Sequence, residues 1–247
     1  QRGVTVPFHR FLIISFSLAA IVACGSAHGG DAPVTREELP KIIEEILMND
    51  PTILVRAFDR LRQVQEQAAA QTASEALTNN RDAIFSNPGN PSIGPSDADV
   101  TLVEFFDYHC TYCKHFLPEL TRLLENDKKL RVIFRDLPIL SEDSATAARA
   151  SIAFDRLRKD RFFEFHTALM KESGPFDQTL LAGIAKGLGV DGNALESEMA
   201  KHEIADLLAE NLRLAGSLGV RGTPAIIVGN QMVSGAMPYE ALKKLVD

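Results

Sequence analysis

The sequence predicts an α/β domain that carries a helical insertion and is preceded by an N-terminal helical segment. Three patterns support this. Val100-Thr101-Leu102-Val103-Glu104-Phe105-Phe106 reads as a buried strand, and a helical run and a second strand follow it. Helical patterns rich in Ala and Leu fill residues at about 140–217. Two short apolar runs, 225–228 and 231–234, then flank Gly229-Asn230 as a hairpin, and residues 239–246 close the chain with a helix.

Composition narrows the function classes. The chain has 247 residues, 45% of them hydrophobic, enough for a real core in one or two domains. Its net charge of −7, from 26 basic and 33 acidic residues, argues against nucleic acid or anionic lipid as the main partner. Three cysteines are too few for a disulfide-built scaffold, so their positions matter: Cys24, Cys110 and Cys113.

Residues 1–23 read as a signal peptide. Arg2, His9 and Arg10 lead into an apolar run over 11–23 that only Ser15 and Ser17 interrupt. The run is shorter than the ~20 residues a membrane span needs, and it lacks the polar face of a core helix. Cys24 follows Ile21-Val22-Ala23, which resembles a bacterial lipobox; cleavage after Gly25-Ser26-Ala27 is the other route. Both routes export the chain to the periplasm or cell envelope, where disulfides persist. In the first, lipidated Cys24 is the protein's contact with the membrane.

Residues 24–34 form a small-residue tether, and 35–86 a helical stalk. Thr35 and Glu38 have capping-box spacing, and Leu39, Ile42, Ile43, Ile46 and Leu47 recur at helical period. Pro51 opens a second helix, on which Leu54, Ala57, Phe58, Leu61, Val64 and Ala68 make one stripe. The segment is too thin to bury its own core. Either it pairs with other copies of the chain or it packs back on the rest of its own. Asn87-Pro88-Gly89-Asn90-Pro91 and Gly94-Pro95 break the pattern, and the main domain is expected over 96–247.

Within that domain, residues 110–125 read as a helix with Phe116, Leu117, Leu120, Leu123 and Leu124 on its inner face. Residues 130–135 form the second strand, and 142–172, 177–188 and 193–217 are helical. The order β-α-β, helices, β-β-α fits a thioredoxin fold with a helical insertion.

Cys110-Thr111-Tyr112-Cys113 follows the first strand and opens the helix. A helix N-terminus offers free N–H groups and positive dipole charge, which favour thiolate, the nucleophile of disulfide exchange. Cys113, one turn in, is shielded and can resolve a mixed disulfide. The same C-x-x-C could be half of a zinc site, but its only nearby partners are His109 and His115, packed too tightly along the chain for a tetrahedral set. No metal and no cofactor is expected.

Thr223-Pro224 stands directly before a strand. A cis bond there would leave the preceding backbone free to pair with an extended substrate, whereas a trans proline would be a plain turn. Glu104 sits amid an apolar strand. If buried, it is a neutral or paired acid able to exchange a proton with the thiol pair; if it lies at an exposed strand end, it is merely solvated.

These residues, from Leu102 to Cys113 together with Gly222-Thr223-Pro224 and the inserted helices, resemble the DsbA-like thiol–disulfide oxidoreductases of bacterial envelopes. The helical segment, with Asn80-Arg81-Asp82-Ala83-Ile84-Phe85, resembles the stalk of the ScsC-like subgroup. The resemblance implies Cys110 as nucleophile, Cys113 as resolving thiol, Pro224 as a cis proline and Glu104 as the buried acid, with Arg135 as its basic partner. It implies exported clients bearing thiols or disulfides, an envelope redox partner and a homo-oligomer, dimer or trimer. Strong oxidases of this kind carry His where this chain has Tyr112. Tyr112 and Thr223 resemble isomerases instead, which implies an isomerase-like poise.

Two other classes use the same residues differently. Cys110, Cys113 and His109 could bind a soft metal such as copper in a protective role. Alternatively, the fold could serve only as a lipid-anchored peptide-binding scaffold, against which the intact C-x-x-C speaks.

Overall fold

The computed structural model describes residues 35–86 and 89–247. The signal peptide, Cys24 and the tether lie outside the described residues, as do Asn87 and Pro88. The chain divides into two compact units, Gln1–Phe58 and Asp59–Asp247.

Of the first unit, α1 (Leu39–Asn49) and the start of α2 (Thr52–Asn79) are described. Glu38 reaches back to accept from the Thr35 N–H and hydroxyl, at 2.9 and 2.8 Å. That is the carboxylate half of a capping box. Asp50 accepts from the Thr52 N–H at 3.1 Å where α2 begins. Leu39, Ile43, Ile46, Leu54, Val55 and Phe58 are exposed.

In the second unit, Leu61 and Val64 of α2 are also exposed, but Leu77 near its end is buried. A five-residue helix, α3 (Arg81–Phe85), follows and buries Ile84. The helical segment, expected either to pair with other copies or to pack back on the rest of its own chain, changes character along its length: Leu77 and Ile84 join the core of the sheet domain.

Five strands order as β1-β3-β2-β4-β5: β1 (Ser92–Ile93), β2 (Val100–Phe106), β3 (Leu130–Asp136), β4 (Ala225–Val228) and β5 (Gln231–Ser234). Between β2 and β3 runs α4 (Thr111–Asn126), and the two strands pair in parallel from Val100↔Leu130 to Phe106↔Asp136. The insertion holds α5 (Glu142–Leu157), α6 (Phe162–Lys171), α7 (Gln178–Gly187), α8 (Gly192–Met199) and α9 (His202–Ser217). Two breaks subdivide the expected helical runs, at Arg158 and at Ala200-Lys201. Neither contains Gly or Pro; at the first, a 3-10 turn (Lys159–Arg161) follows, and Arg158 Nε pairs with Asp160 at 2.9 Å. The chain closes with α10 (Tyr239–Val246). This is the thioredoxin-type α/β arrangement with a helical insertion.

Alternation along the strands builds two cores. Leu102, Phe106, Val132 and Phe134 share one with Cys110, Cys113, α4 and the inserted helices. Val103, Phe105 and Ile133 share the other with Leu77, Ile84, Leu214 and Leu218. The register corrects one expectation. Glu104 stands opposite Phe134, while Arg135 stands opposite Phe105. With a side-chain period of two, Arg135 projects to the other face and is not the basic partner of Glu104. Its Nη1 donates to Asn211 Oδ1 at 2.9 Å and its Nη2 to the carbonyls of Ala83 and Ile84, the latter at 3.0 Å.

Candidate functional site

The site forms where β2 ends and α4 begins. The antiparallel register Phe105↔Ala225 brings the start of β4 to this end of β2. The Thr223-Pro224 peptide bond is cis. Cys110 is the N-cap residue of α4, with extended backbone, and Cys113 lies in its first turn. Both are buried free thiols, 6% and 1% exposed.

The two sulfurs differ in environment. The Cys110 thiol donates to the Thr223 carbonyl at 3.1 Å. Its pKa is lowered to about 5, first by the hydrogen bond from the Cys113 thiol, then by the Thr223 side chain and by the Cys113 and Tyr112 N–H groups that face it, against the opposing effect of burial. Free donors at a helix N-terminus thus converge on one sulfur. Burial pushes the Cys113 thiol well up; its hydrogen bond to Cys110 and the charge of Glu104 add to this. One sulfur is set to be thiolate and the other to keep its proton.

Glu104 is 2% exposed on the thiol-facing side of β2. Burial, together with the charge of Cys110, raises its pKa to about 8. Thr111 and Tyr112 are exposed at the helix tip, Tyr112 by 66%. Cys110, Cys113, Thr223, Pro224 and Glu104 are therefore gathered at one end of the sheet. Among the described residues, no three His, Cys, Asp or Glu side chains gather to hold a metal ion. Nor, among them, is any helix long and apolar enough to cross a membrane.

Sequence reasoning passed over a polar layer beneath the site. Tyr108, buried two residues before Cys110, bonds through its hydroxyl to Ser151 at 2.9 Å and His166 Nδ1 at 3.0 Å. Ser151 lies 3.4 Å from Asp136, whose other carboxyl oxygen has no partner among the described residues. Burial raises the pKa values of Tyr108 and Asp136 and lowers that of His166 to about 3, disfavouring the charged form of each. Asp107 was also missed, and it makes four side-chain hydrogen bonds. A polar residue beside a C-x-x-C was the one available signal for it.

Comparison with known proteins places this geometry. Over 94% of its length the chain is 26% identical to Na(+)/H(+) antiporter NhaA 1 of Salinispora arenicola, but it spans only 35% of that protein. It is 26% identical to disulfide bond formation protein D of Bacillus subtilis over 179 residues, covering 67% of this chain and 81% of that one. Among solved structures, the thiol-disulfide exchange protein alpha-DsbA2 of Wolbachia pipientis superposes with a TM-score of 0.67 at 31% identity, covering 72% of this chain and 95% of that one. A linker-deletion variant of Proteus mirabilis ScsC gives a TM-score of 0.67 at 28% identity, covering 88% and 97%. Residues 101–247 match the model of the DSBA-like thioredoxin domain, and the chain belongs to that family.

Proposed function

We propose that the protein is a thiol–disulfide oxidoreductase of the bacterial envelope, ScsC-like in organisation and poised as an isomerase. The observation that carries this reading is the geometry of the Cys pair: Cys110 at the N-cap of α4, 3.1 Å from the carbonyl that precedes the cis proline, with Cys113 buried behind it; the opposite pKa shifts of the two thiols agree with it.

The Cys110 thiolate attacks one sulfur of a client disulfide, forming a mixed disulfide and releasing the client's other sulfur as thiolate. In isomerisation, a different client thiolate attacks the client sulfur of that bond and returns Cys110 as thiolate, with no net oxidation. In reduction, Cys113 loses its proton and attacks Cys110; the Cys110–Cys113 disulfide forms and the client leaves as a dithiol. Glu104 is the acceptor for that proton. The charge of Cys110 helps hold the Glu104 proton on. Forming the mixed disulfide removes that charge, so the acid ionises more readily when a base is needed.

The poise follows the same logic. The lower the nucleophile's pKa, the more stable the reduced pair and the stronger the oxidant; a value of about 5 falls between the ~7 of a reductant and the ~3.5 of a strong oxidase. Tyr112 and Thr223 favour the same intermediate poise. The exposed apolar residues of α1 and early α2 support a dimer or trimer, which would hold several thiol sites around one client at raised effective concentration. Clients are exported proteins with thiols or disulfides, kept in cycle by an envelope redox partner.

The test begins with single mutants offered a disulfide client. Cys113→Ser accumulates a mixed disulfide at Cys110, whereas Cys110→Ser traps nothing; trapping in neither variant refutes the reading. A reduction potential near ~−120 mV would replace the isomerase poise with that of an oxidase. In the full chain, Ile43→Asp, Ile46→Asp and Phe58→Asp together are expected to give a monomer that exchanges dithiols but no longer refolds a scrambled substrate. An assembly of unchanged mass refutes the stalk.

A further inference from the structure

Asp107 directly follows β2, three residues before Cys110, and is 2% exposed. Its Oδ1 accepts from the His109 N–H at 2.8 Å and the Ser144 hydroxyl at 2.7 Å. Its Oδ2 accepts from the Ile139 and Leu140 N–H groups at 2.9 and 3.1 Å. Its backbone carbonyl takes the Cys110 N–H at 3.0 Å. All four partners of the carboxyl donate to it, three backbone N–H groups and one hydroxyl. They come from three places: the nucleophile's own turn, the loop after β3, and the first turn of α5.

We propose that Asp107 is a positioning residue for the thiol chemistry, its carboxyl locking the turn that carries Cys110 against the loop at Ile139 and Leu140. The inference rests on the thiol-exchange reading above and deepens it. The sulfur of Cys110 depends on several weak donors at once: the Cys113 thiol, the Thr223 side chain and two backbone N–H groups. Hydrogen bonds fall off steeply with angle, so a turn free to shift would lose part of this set. The carboxyl of Asp107 acts through the placement of His109 and Cys110, while its backbone N–H, which any substitution keeps, faces the Cys113 sulfur. A purely electrostatic role has the opposite sign, because removing a negative charge near a thiolate favours the thiolate.

The experiment follows alkylation of Cys110 against pH in the reduced full-length protein, read by mass at that residue. Asp107→Ala strands three backbone N–H groups and is expected to raise the midpoint by about one pH unit, the loss of roughly one net hydrogen bond to the sulfur. Asp107→Asn keeps one acceptor oxygen but turns an amide N–H2 toward the other pair of donors. It is expected to shift the midpoint the same way by less, and it carries the test if the Ala variant does not fold. A midpoint that stays put while thermal stability drops assigns Asp107 to folding alone, and a downward shift assigns it to charge; either result overturns the proposal. A parent protein with an ordinary thiol midpoint would refute the exchange reading itself, a result distinct from both.

Discussion

Two of the ionisable side chains that the sheet buries, Glu104 and Arg135, stand one register step apart and are treated in opposite ways. On one face, three donor bonds run from the Arg135 guanidinium to Asn211 and to the last carbonyls of α3, which a short helix leaves without internal partners. Burial lowers its pKa only to about 10, the charge of Glu210 holding against this, so it stays a cation. On the other face, Glu104 sits among apolar side chains beside two sulfurs, and the charge that reaches it is that of Cys110, of like sign. The contrast separates a charge held for structure from an acid kept uneasy for chemistry. The cation is held through both Nη atoms by fixed dipoles and by the charge of Glu210, although its Nε finds no partner among the described residues; the acid titrates near the working pH because nothing compensates its ionised form.

The largest effect is expected from breaking the structural side. Arg135→Leu leaves the Ala83 and Ile84 carbonyls and Asn211 buried without their donor, and is expected to cost ~3–5 kcal/mol in urea unfolding. The alkylation midpoint of Cys110 in the folded fraction should not move. If the Glu104 titration moves with this variant, the two residues are coupled across the sheet and the separation fails.

Glu104→Gln comes next, with the opposite sign. The folded protein holds the Glu104 proton up to about pH 8, while an unfolded chain releases it near 4.5. Between those values the native state binds more protons, so this residue's contribution to stability falls as pH rises. The variant is therefore expected to be more stable than its parent by ~2–4 kcal/mol at pH 8 and nearly equal to it at pH 4. Taking the difference between the two proteins removes most of the slope of Cys110, which runs the other way, leaving only its coupling to Glu104. Resolution of the mixed disulfide should slow by about a hundredfold. Parallel stability curves for variant and parent would mean that Glu104 titrates normally.

The same contrast marks how far the sequence was legible. The elements around the thiols follow from local pattern: an apolar run for β2, a helical period after Cys110, and Gly229-Asn230 between β4 and β5. Glu104 stood out because a carboxyl in an apolar strand is anomalous wherever the strand goes. Arg135 was equally visible but was given the wrong partner, because the face it occupies depends on the pairing of β2 with β3. Its real partners lie in α3, five residues long, and on α9, dozens of residues away in each case. Asp107 shows the same limit, since three of its four donors come from beyond residue 138. Local chemistry can be read from spacing, but a bond that closes a long loop leaves no local trace.

The smallest effect sharpens the structural side further. Asn211 spans the gap between the guanidinium and the sheet: its Oδ1 accepts from Arg135, and its Nδ2 donates to Asn90 Oδ1 at 2.8 Å and to the Asp136 carbonyl at 3.2 Å. Asn211→Ala removes one of the three acceptors around Arg135 and leaves the two carbonyls of α3. If those carbonyls alone hold the cation, the cost should be ~1–2 kcal/mol in urea unfolding, well below that of Arg135→Leu. A cost equal to that of Arg135→Leu would mean that the amide and the guanidinium act as one unit. The two variants combined would then lose no more than either alone, and the double-mutant cycle measures that difference directly.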